Sequence, residues 1–89
     1  MNEIWIFHGE NAKFSSGVFT ERHLAELWIR ENKLSGLLTL YPVNVGVYQW
    51  SIANNLFQPK KEHELSSAFV QKFTSAAQEH YHYGNGELE

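Results

Sequence analysis

The stretch that decides the fold is residues 16–48, SGVFTERHLAELWIRENKLSGLLTLYPVNVGVY. It predicts the end of a strand, then an amphipathic helix that ends in a tight turn. A strand that stops at a proline, a turn and a returning strand follow. Helical and alternating apolar patterns follow one another within this one stretch. The chain is therefore predicted to be an α+β protein.

A helix is predicted over about residues 20–32. Thr20 is suited to cap its first turn, because a threonine hydroxyl can accept a hydrogen bond from a free backbone amide. Glu26 and Arg30 are four residues apart with the acid first, which is the favourable order for an ion pair. The residues predicted to face the core, at three- and four-residue spacings, are Leu24, Ala25, Leu27 and Trp28.

Three segments around this helix predict strands of one sheet. Residues 3–8 contain four successive large apolar side chains, which favours a central strand covered on both faces. Residues 13–19 predict a second strand, with Gly17 as a bulge or bend. Residues 36–42 alternate in polarity and stop at Pro42, which fits the end of a strand.

The second half of the chain predicts further strands. Residues 43–46 are interpreted as a hairpin turn, and residues 47–53 as a strand that returns with aromatic residues on one face. Residues 56–58 predict a short strand. Residues 78–83, QEHYHY, predict a closing strand because they alternate and are rich in β-formers. The residues after Gly84 are expected to be loose.

A second helix is predicted over about residues 62–74, from apolar residues at helical spacings. A shorter helix capped by Ser66 or Ser67 is the alternative. The predicted architecture is a mostly antiparallel sheet of four to six strands. The main helix packs on one face of it, and the second helix is shorter.

The composition predicts a single small domain. The 89 residues are 43% hydrophobic and 15% aromatic, which supplies enough apolar area for one core. Residues 1–87 are predicted to form this domain. Residues 88–89, Leu-Glu, are typical of the linker before a purification tag.

Composition and charge exclude several classes of protein. The chain has no cysteine, which excludes disulfides, thiolate nucleophiles and cysteine-ligated metals. Its net charge of −3 and its scattered basic residues disfavour binding to nucleic acid. All ten acidic residues are glutamate, which excludes the usual aspartate-rich calcium loop. Without a signal peptide or a membrane span, a cytoplasmic protein that does not associate with membranes is predicted.

Two histidines form the first candidate site. His80 and His82 are two residues apart in the predicted closing strand, so both imidazoles project from one face. Together with His8, His63 or a glutamate they would form a transition-metal site. The alternative is that they mark the solvent-exposed face of an edge strand. Because no third ligand is recognisable, neither a metal nor another cofactor is predicted.

A second candidate site lies where the first strand ends, at His8-Gly9-Glu10. A histidine with a glutamate is the minimum for acid–base chemistry. No nucleophile elbow, phosphate loop or dinucleotide-type glycine pattern accompanies them. The sequence leaves enzymatic activity open and favours a protein that is not an enzyme.

Aromatic residues form the third candidate, a surface for a partner protein. Tryptophan and tyrosine are enriched where protein interfaces gain most of their energy. Tyr41, Tyr48 and Trp50 and the closing strand are predicted to form this surface. Their alternative role is to fill the core.

Several motifs together resemble a small family of uncharacterised bacterial proteins, a domain of unknown function. They are FHGE at residues 7–10, FSSGVF at residues 14–19, LTLYP at residues 38–42 and EHYHY at residues 79–83. The resemblance covers roughly residues 3–86. It implies a stand-alone domain and implies no catalytic residues.

The leading hypothesis is a non-enzymatic accessory module that binds another protein, in the manner of an immunity protein or antitoxin. A monomer or weak homodimer is expected. The alternative is a metal or small-ligand site, with catalysis left open, where His8 and Glu10 approach His80 and His82. That joint site requires the first and closing strands to be neighbours and the imidazoles to lie within about 10 Å of one another.

Overall fold

The computed structural model describes residues 2–89. Within this range the chain forms five strands, three α-helices and one short 3₁₀ helix, so the predicted α+β class is confirmed. In chain order they are β1 (Glu3–Gly9), β2 (Gly17–Phe19), α1 (Arg22–Glu31), β3 (Gly36–Pro42), α2 (Val47–Ala53), the 3₁₀ helix (Glu62–Leu65), α3 (Ser67–Gln71), β4 (His80–Gly84) and β5 (Glu87–Leu88).

The chain divides into two compact units. The sheet unit comprises residues 2–43 and 78–89, and the helical unit comprises residues 44–77. A single domain over residues 1–87 stays a prediction, as does a linker at 88–89. Over residues 2–89, no helix has the length and apolar character needed to cross a membrane.

All five strands pair antiparallel in the order β2-β1-β3-β4-β5. β1 lies inside the sheet between β2 and β3, as its apolar sequence predicts. Phe7 on β1 is opposite Leu38 on β3, and Leu38 is opposite Tyr81 on β4. Because directly opposed residues project from the same face, such rows define two distinct faces of the sheet.

The core of the sheet unit lies between one face of the sheet and α1. Its buried residues are Trp5, Phe7, Ala25, Ile29, Leu38 and Tyr83, and Phe19, Trp28, Leu34, Leu40 and Tyr81 pack against them. The Trp28 ring meets Phe7 edge-on, with ring centroids 5.5 Å apart. Six of these eleven residues are aromatic, so large rings make up much of the core of this small unit.

The helix α1 forms where the sequence predicts it, but its predicted buried face is wrong in part. Ala25 and Ile29 are fully buried, whereas Leu24 and Leu27 remain 43% and 45% exposed. The stripe that faces the sheet is rotated by about one residue, or roughly 100°. The leucine spacing fits a helix, but it does not identify the face that the sheet covers.

The predicted cap and ion pair of α1 are also wrong. Glu21 occupies the N-cap position and makes no side-chain capping hydrogen bond, so Thr20 lies outside the helix. Glu26 is paired with Arg22, at 3.3 Å from Nε to Oε2, rather than with Arg30. Asn32 ends the helix, with its side-chain amide donating to the carbonyl of Trp28 at 2.9 Å.

The predicted strand at residues 47–53 is wrong, because α2 occupies this segment. Residues 43–46 bend before a helix rather than a strand, so the hairpin turn predicted there is also wrong. Aromatic and β-branched residues favour strands only through the neighbours they pack against, and here they pack in a helix. Asn54 and Asn55 end this helix. The Asn54 amide donates to the carbonyl of Trp50 at 2.8 Å, and Asn55 adopts a φ of 59°.

Two further elements differ from prediction. Residues 56–58 form no strand. The predicted helix over residues 62–74 is split into the 3₁₀ helix and α3, since Ser66 is extended, with φ −79° and ψ 156°. The Ser66 hydroxyl accepts a hydrogen bond from the amide of Phe69 at 3.2 Å. The alternative of a shorter helix capped by Ser66 is therefore confirmed.

The end of the chain is more regular than predicted. Asn85 and Gly86 both have positive φ, 50° and 86°, and join β4 to β5 as a two-residue hairpin loop. Asn-Gly is among the strongest short hairpin signals, because such turns need positive φ at both positions. Residues after Gly84 are therefore paired rather than loose. At the other edge, the strand predicted over residues 13–19 is limited to β2.

Candidate functional site

The end of the sheet where β1, β3 and β4 meet brings predicted site residues together. His8 is opposite Leu37, and Leu37 is opposite His82, so both histidines lie in one row on one face. A cleft of about 630 Å³ opens there. The residues that give it polar character are His8, Glu10, Ser35, His82, Asn85 and Glu89.

Paired glycines shape this cleft. Gly9 of β1 is opposite Gly36 of β3, and Gly36 is opposite Tyr83 of β4, so across these three strands Tyr83 is the one residue of this row with a side chain. A Cβ on Gly36 would lie 2.4 Å from the carbonyl oxygen of His8, closer than real Cβ atoms approach. The two strands therefore come together at a point where only glycine fits on β3.

Both ring nitrogens of His8 are already hydrogen-bonded. Nε2 lies 2.7 Å from the carbonyl oxygen of Ala12, and Nδ1 lies 3.2 Å from the hydroxyl of Ser15. A carbonyl can only accept, so Nε2 carries the hydrogen, and in the neutral ring Nδ1 accepts from Ser15. His8 thus holds the loop after β1 and offers no free lone pair to a metal.

His80 and His82 project from the same face of β4, as their spacing predicts. Their ring centroids are 5.6 Å apart, and both residues are exposed. Nδ1 of His80 lies 2.6 Å from the carbonyl oxygen of Gln78. Nδ1 is therefore the donor, and Nε2 of the neutral ring stays available as a ligand.

The geometry for a joint metal site with His8 is unfavourable. β3 lies between β1 and β4, so His8 and His82 are separated by two inter-strand spacings, about 10 Å between Cα atoms. The condition that the two strands be neighbours is not met. Within residues 2–89, no three histidine, aspartate or glutamate side chains are grouped closely enough to hold a metal ion.

The three aromatic residues predicted as an interface lie in different environments. Tyr41, in β3, is half-buried, as is Trp50 in α2. Tyr48 is buried, and its hydroxyl donates to the carbonyl of Glu64 at 2.8 Å. The prediction of an exposed Tyr48 is therefore wrong, because this side chain joins α2 to the 3₁₀ helix.

Tyr48 is part of an aromatic cluster that forms the core of the helical unit. Its ring centroid lies 5.8, 6.2 and 5.4 Å from those of Phe57, Phe69 and Phe73. His63 meets Phe69 edge-on at 5.8 Å. Such offset and edge-on pairs are favourable beyond the area they bury, which explains how so short a segment holds together.

An apolar groove of about 550 Å³ opens on this cluster. Phe69 and Phe73, four residues apart, contribute to its lining with Ala68, and their ring centroids are 5.9 Å apart. Lys72 and His63 also line it, and no carboxylate does. The groove was not predicted. Phe73 lies beyond the end of α3, so the four-residue spacing of the two phenylalanines does not by itself bring their rings together.

On the core face of the sheet, Tyr83 joins β4 to α1. It is 5% exposed, and its hydroxyl donates to Oε2 of Glu26 at 2.5 Å. Burial, together with this hydrogen bond to a carboxylate, raises the pKa of Tyr83 well above its ordinary value. The phenol therefore stays protonated at neutral pH and acts as a donor.

These features define an α+β domain whose sheet carries a polar cleft and whose helical unit carries an apolar groove. The chain belongs to the family described as a domain of unknown function, DUF7710, whose profile matches residues 4–89. The match extends over β5, including the two residues that the composition assigned to a linker. No curated protein and no solved structure matches the chain significantly.

Proposed function

We propose that this domain is a non-enzymatic module that binds another protein through the groove of its helical unit. The observation that carries the proposal is the groove itself, which places two phenylalanine rings beside the cation Lys72. Apolar pockets that take aromatic or aliphatic anchors supply most of the energy of protein interfaces. The aromatic surface expected from the sequence is thus assigned to Phe69 and Phe73 rather than to Tyr48.

The occupant we propose is an amphipathic segment of a partner with acidic residues beside its apolar anchors. The charges favour this choice, because Lys72 is the one charged side chain lining the groove besides the titratable His63. A carboxylate at the rim would gain attraction and orientation there. The two rings, with centroids 5.9 Å apart, suit anchors that are about one helical turn apart on the partner segment.

Exposed aliphatic residues in the same unit add apolar area for a partner. Leu65 is 67% exposed and Leu56 is 50% exposed. Both belong to the unit that carries the groove. Neither residue lines the groove, so each would extend the contact with a partner only beyond it.

A random peptide library displayed on phage tests this function. Wild-type protein should select peptides with apolar anchors and neighbouring Asp or Glu. Ala68→Glu, at an exposed position that lines the groove, should abolish the selection. Gln71→Glu is the matched control, since it adds the same charge to α3 without lining the groove. Peptides that bind Ala68→Glu as well as wild type, or no enrichment at all, would contradict the proposal.

A second function, binding of a small polar ligand, is supported by the cleft at the end of the sheet. His82 and the carboxylates Glu10 and Glu89 line it together with His8. Two carboxylates beside exposed backbone favour a small organic amine. Putrescine titrated into labelled protein should shift the amide signals of Gly9, Gly84 and Asn85, and Glu10→Gln should weaken these shifts. Diffuse shifts that Glu10→Gln leaves unchanged would reject this function.

A further inference from the structure

We propose that His80 and His82 are half of a metal site that a second copy of this chain completes. The metal class is a borderline divalent ion such as Zn²⁺, for which imidazole nitrogen is a preferred ligand. The proposal does not involve the apolar groove and is therefore independent of the proposed binding of a partner protein. It shares His82 with the polar cleft, but its test uses a metal ion alone, so a failure of amine binding and a failure of this proposal are distinguishable.

The spacing of the two rings suits one metal ion. Two imidazoles on a tetrahedral Zn²⁺, with bonds of about 2.0–2.1 Å, have ring centres roughly 5 Å apart. The ring centroids of His80 and His82 are 5.6 Å apart. Small rotations of two exposed side chains are enough to close this difference, since exposed rotamers interconvert readily.

His80 is already oriented as metal ligands are in known sites. Metal-binding histidines usually donate the other ring N–H to a carbonyl or carboxylate, which fixes the tautomer and the direction of the lone pair. Nδ1 of His80 makes this bond to the carbonyl of Gln78 at 2.6 Å. Gln78 is itself fixed, because it is 6% exposed and its amide donates to the carbonyl of Leu40 at 3.1 Å.

Neighbouring groups on β4 leave the two imidazoles free. The hydroxyl of Tyr81 donates to Glu79, and residues 79 and 81 project from the opposite face of the strand. The nearest other histidine along this row, His8, uses both ring nitrogens in its own loop. The described part of the chain therefore offers two ligands here, and four-coordinate Zn²⁺ needs two more.

A second copy supplies the missing ligands in the simplest way. Two-fold symmetry places the same patch of one chain against the same patch of the next, so each residue pair is presented twice. Four imidazoles around one ion would give a tetrahedral site. Because both histidines are exposed, two copies can approach through this face of β4 without unfolding.

Zinc titration of tag-free protein, followed by light scattering after size exclusion, tests the proposal. We expect the mass to rise from one chain to two, reaching completion at half an equivalent of Zn²⁺ per chain. Co²⁺ in place of Zn²⁺ should give the absorption bands of a tetrahedral site at the same stoichiometry. His80→Ala and His82→Ala should each abolish both signals.

His23→Ala is the matched control, because it removes an exposed imidazole from α1 and should leave the transition intact. The side chain of His23 is 67% exposed. Saturation at one equivalent without a change of mass would overturn the proposal in favour of a site within one chain. Dimer formation that survives His82→Ala, or no response to either metal, would overturn it as well.

Discussion

The hydroxyl of Tyr83 on β4 donates a hydrogen bond to the carboxylate of Glu26 on α1 and so joins the sheet to its helix. The same Oε2 atom accepts from Nε of Arg22 at 3.3 Å. The Arg22 guanidinium also lies over the ring of Tyr81, with Cζ 3.6 Å from its centroid. The hydrogen bond between Tyr83 and Glu26 thus joins residues that are 57 positions apart in the sequence.

Removing this hydroxyl with Tyr83→Phe should lower the free energy of unfolding by about 1.5–3 kcal/mol, as expected for a hydrogen bond to a charged group. Urea denaturation measures the change. Tyr41→Phe is the control, because it removes a tyrosine hydroxyl from a half-buried position of the same sheet. Equal destabilisation by the two variants would show that the bond to Glu26 contributes nothing specific.

The raised pKa of Tyr83 predicts a loss of stability at alkaline pH. The ordinary pKa is 10.0, so above that pH the unfolded chain releases a proton that the folded chain still holds. The stabilisation is therefore complete below about pH 10 and decreases as the pH rises further, by at most about 1.4 kcal/mol per pH unit.

This pH dependence is measured by urea denaturation of wild type and Tyr83→Phe between about pH 8 and 11. The free energy of unfolding of wild type should fall more steeply above pH 10 than that of the variant. Parallel curves for the two proteins would contradict the assignment of this effect to Tyr83.

Replacement of Gly36 by alanine should destabilise the protein by about 1–3 kcal/mol, the range for inserting a methyl group into a filled space. The added Cβ would lie 2.4 Å from the carbonyl oxygen of His8 and 2.8 Å from Cα of Gly9. Gly9→Ala is the matched control on the opposing strand, since its Cβ would approach no atom closer than 3.6 Å. Thermal unfolding of both variants measures the difference. Similar melting temperatures for the two would refute the close approach at Gly36.

Two serines of the helical unit should respond to alanine in opposite directions. Ser51 is fully buried, and its hydroxyl has no hydrogen-bond partner within the described residues. Ser51→Ala should therefore leave stability unchanged or raise it by up to about 1 kcal/mol, because an unsatisfied polar group is removed. Ser66→Ala removes the cap of α3 and should lower stability by roughly 1 kcal/mol. Urea denaturation of both variants measures the sign of the change in the free energy of unfolding. Marked destabilisation by Ser51→Ala would show that the Ser51 hydroxyl does make a stabilising hydrogen bond.

Much of the sheet unit could be predicted from local patterns. The apolar run of β1, the alternation of β3 and the helical spacing of α1 each depend on residues close in sequence. The common face of His80 and His82 follows directly from their separation by two in a strand. In the helical unit, the cap at Ser66 could also be predicted from sequence, because a serine before a helical pattern can accept a hydrogen bond from a free backbone amide.

The helical unit was harder to predict for a physical reason. Val47–Ala53 has the alternation and the aromatic content of a strand, yet it forms α2. Strand preference depends on packing against neighbouring strands, and no strand partner lies within this unit of helices. In the sheet unit, by contrast, the Asn-Gly pair at residues 85–86 is a sequence signal for a hairpin turn, and this turn accounts for β5.

The sequence by itself determined β1, α1, β3 and β4 of the sheet unit, because hydrogen bonding within an element and its apolar period are local properties. Only the tertiary structure decided which side of α1 faces the sheet and that β3 lies between β1 and β4. It also decided which distant residues share a site, as His82 and Glu10 do in the cleft. These outcomes depend on which faces cover one another, and that choice minimises exposed apolar area over the whole chain rather than within any one segment.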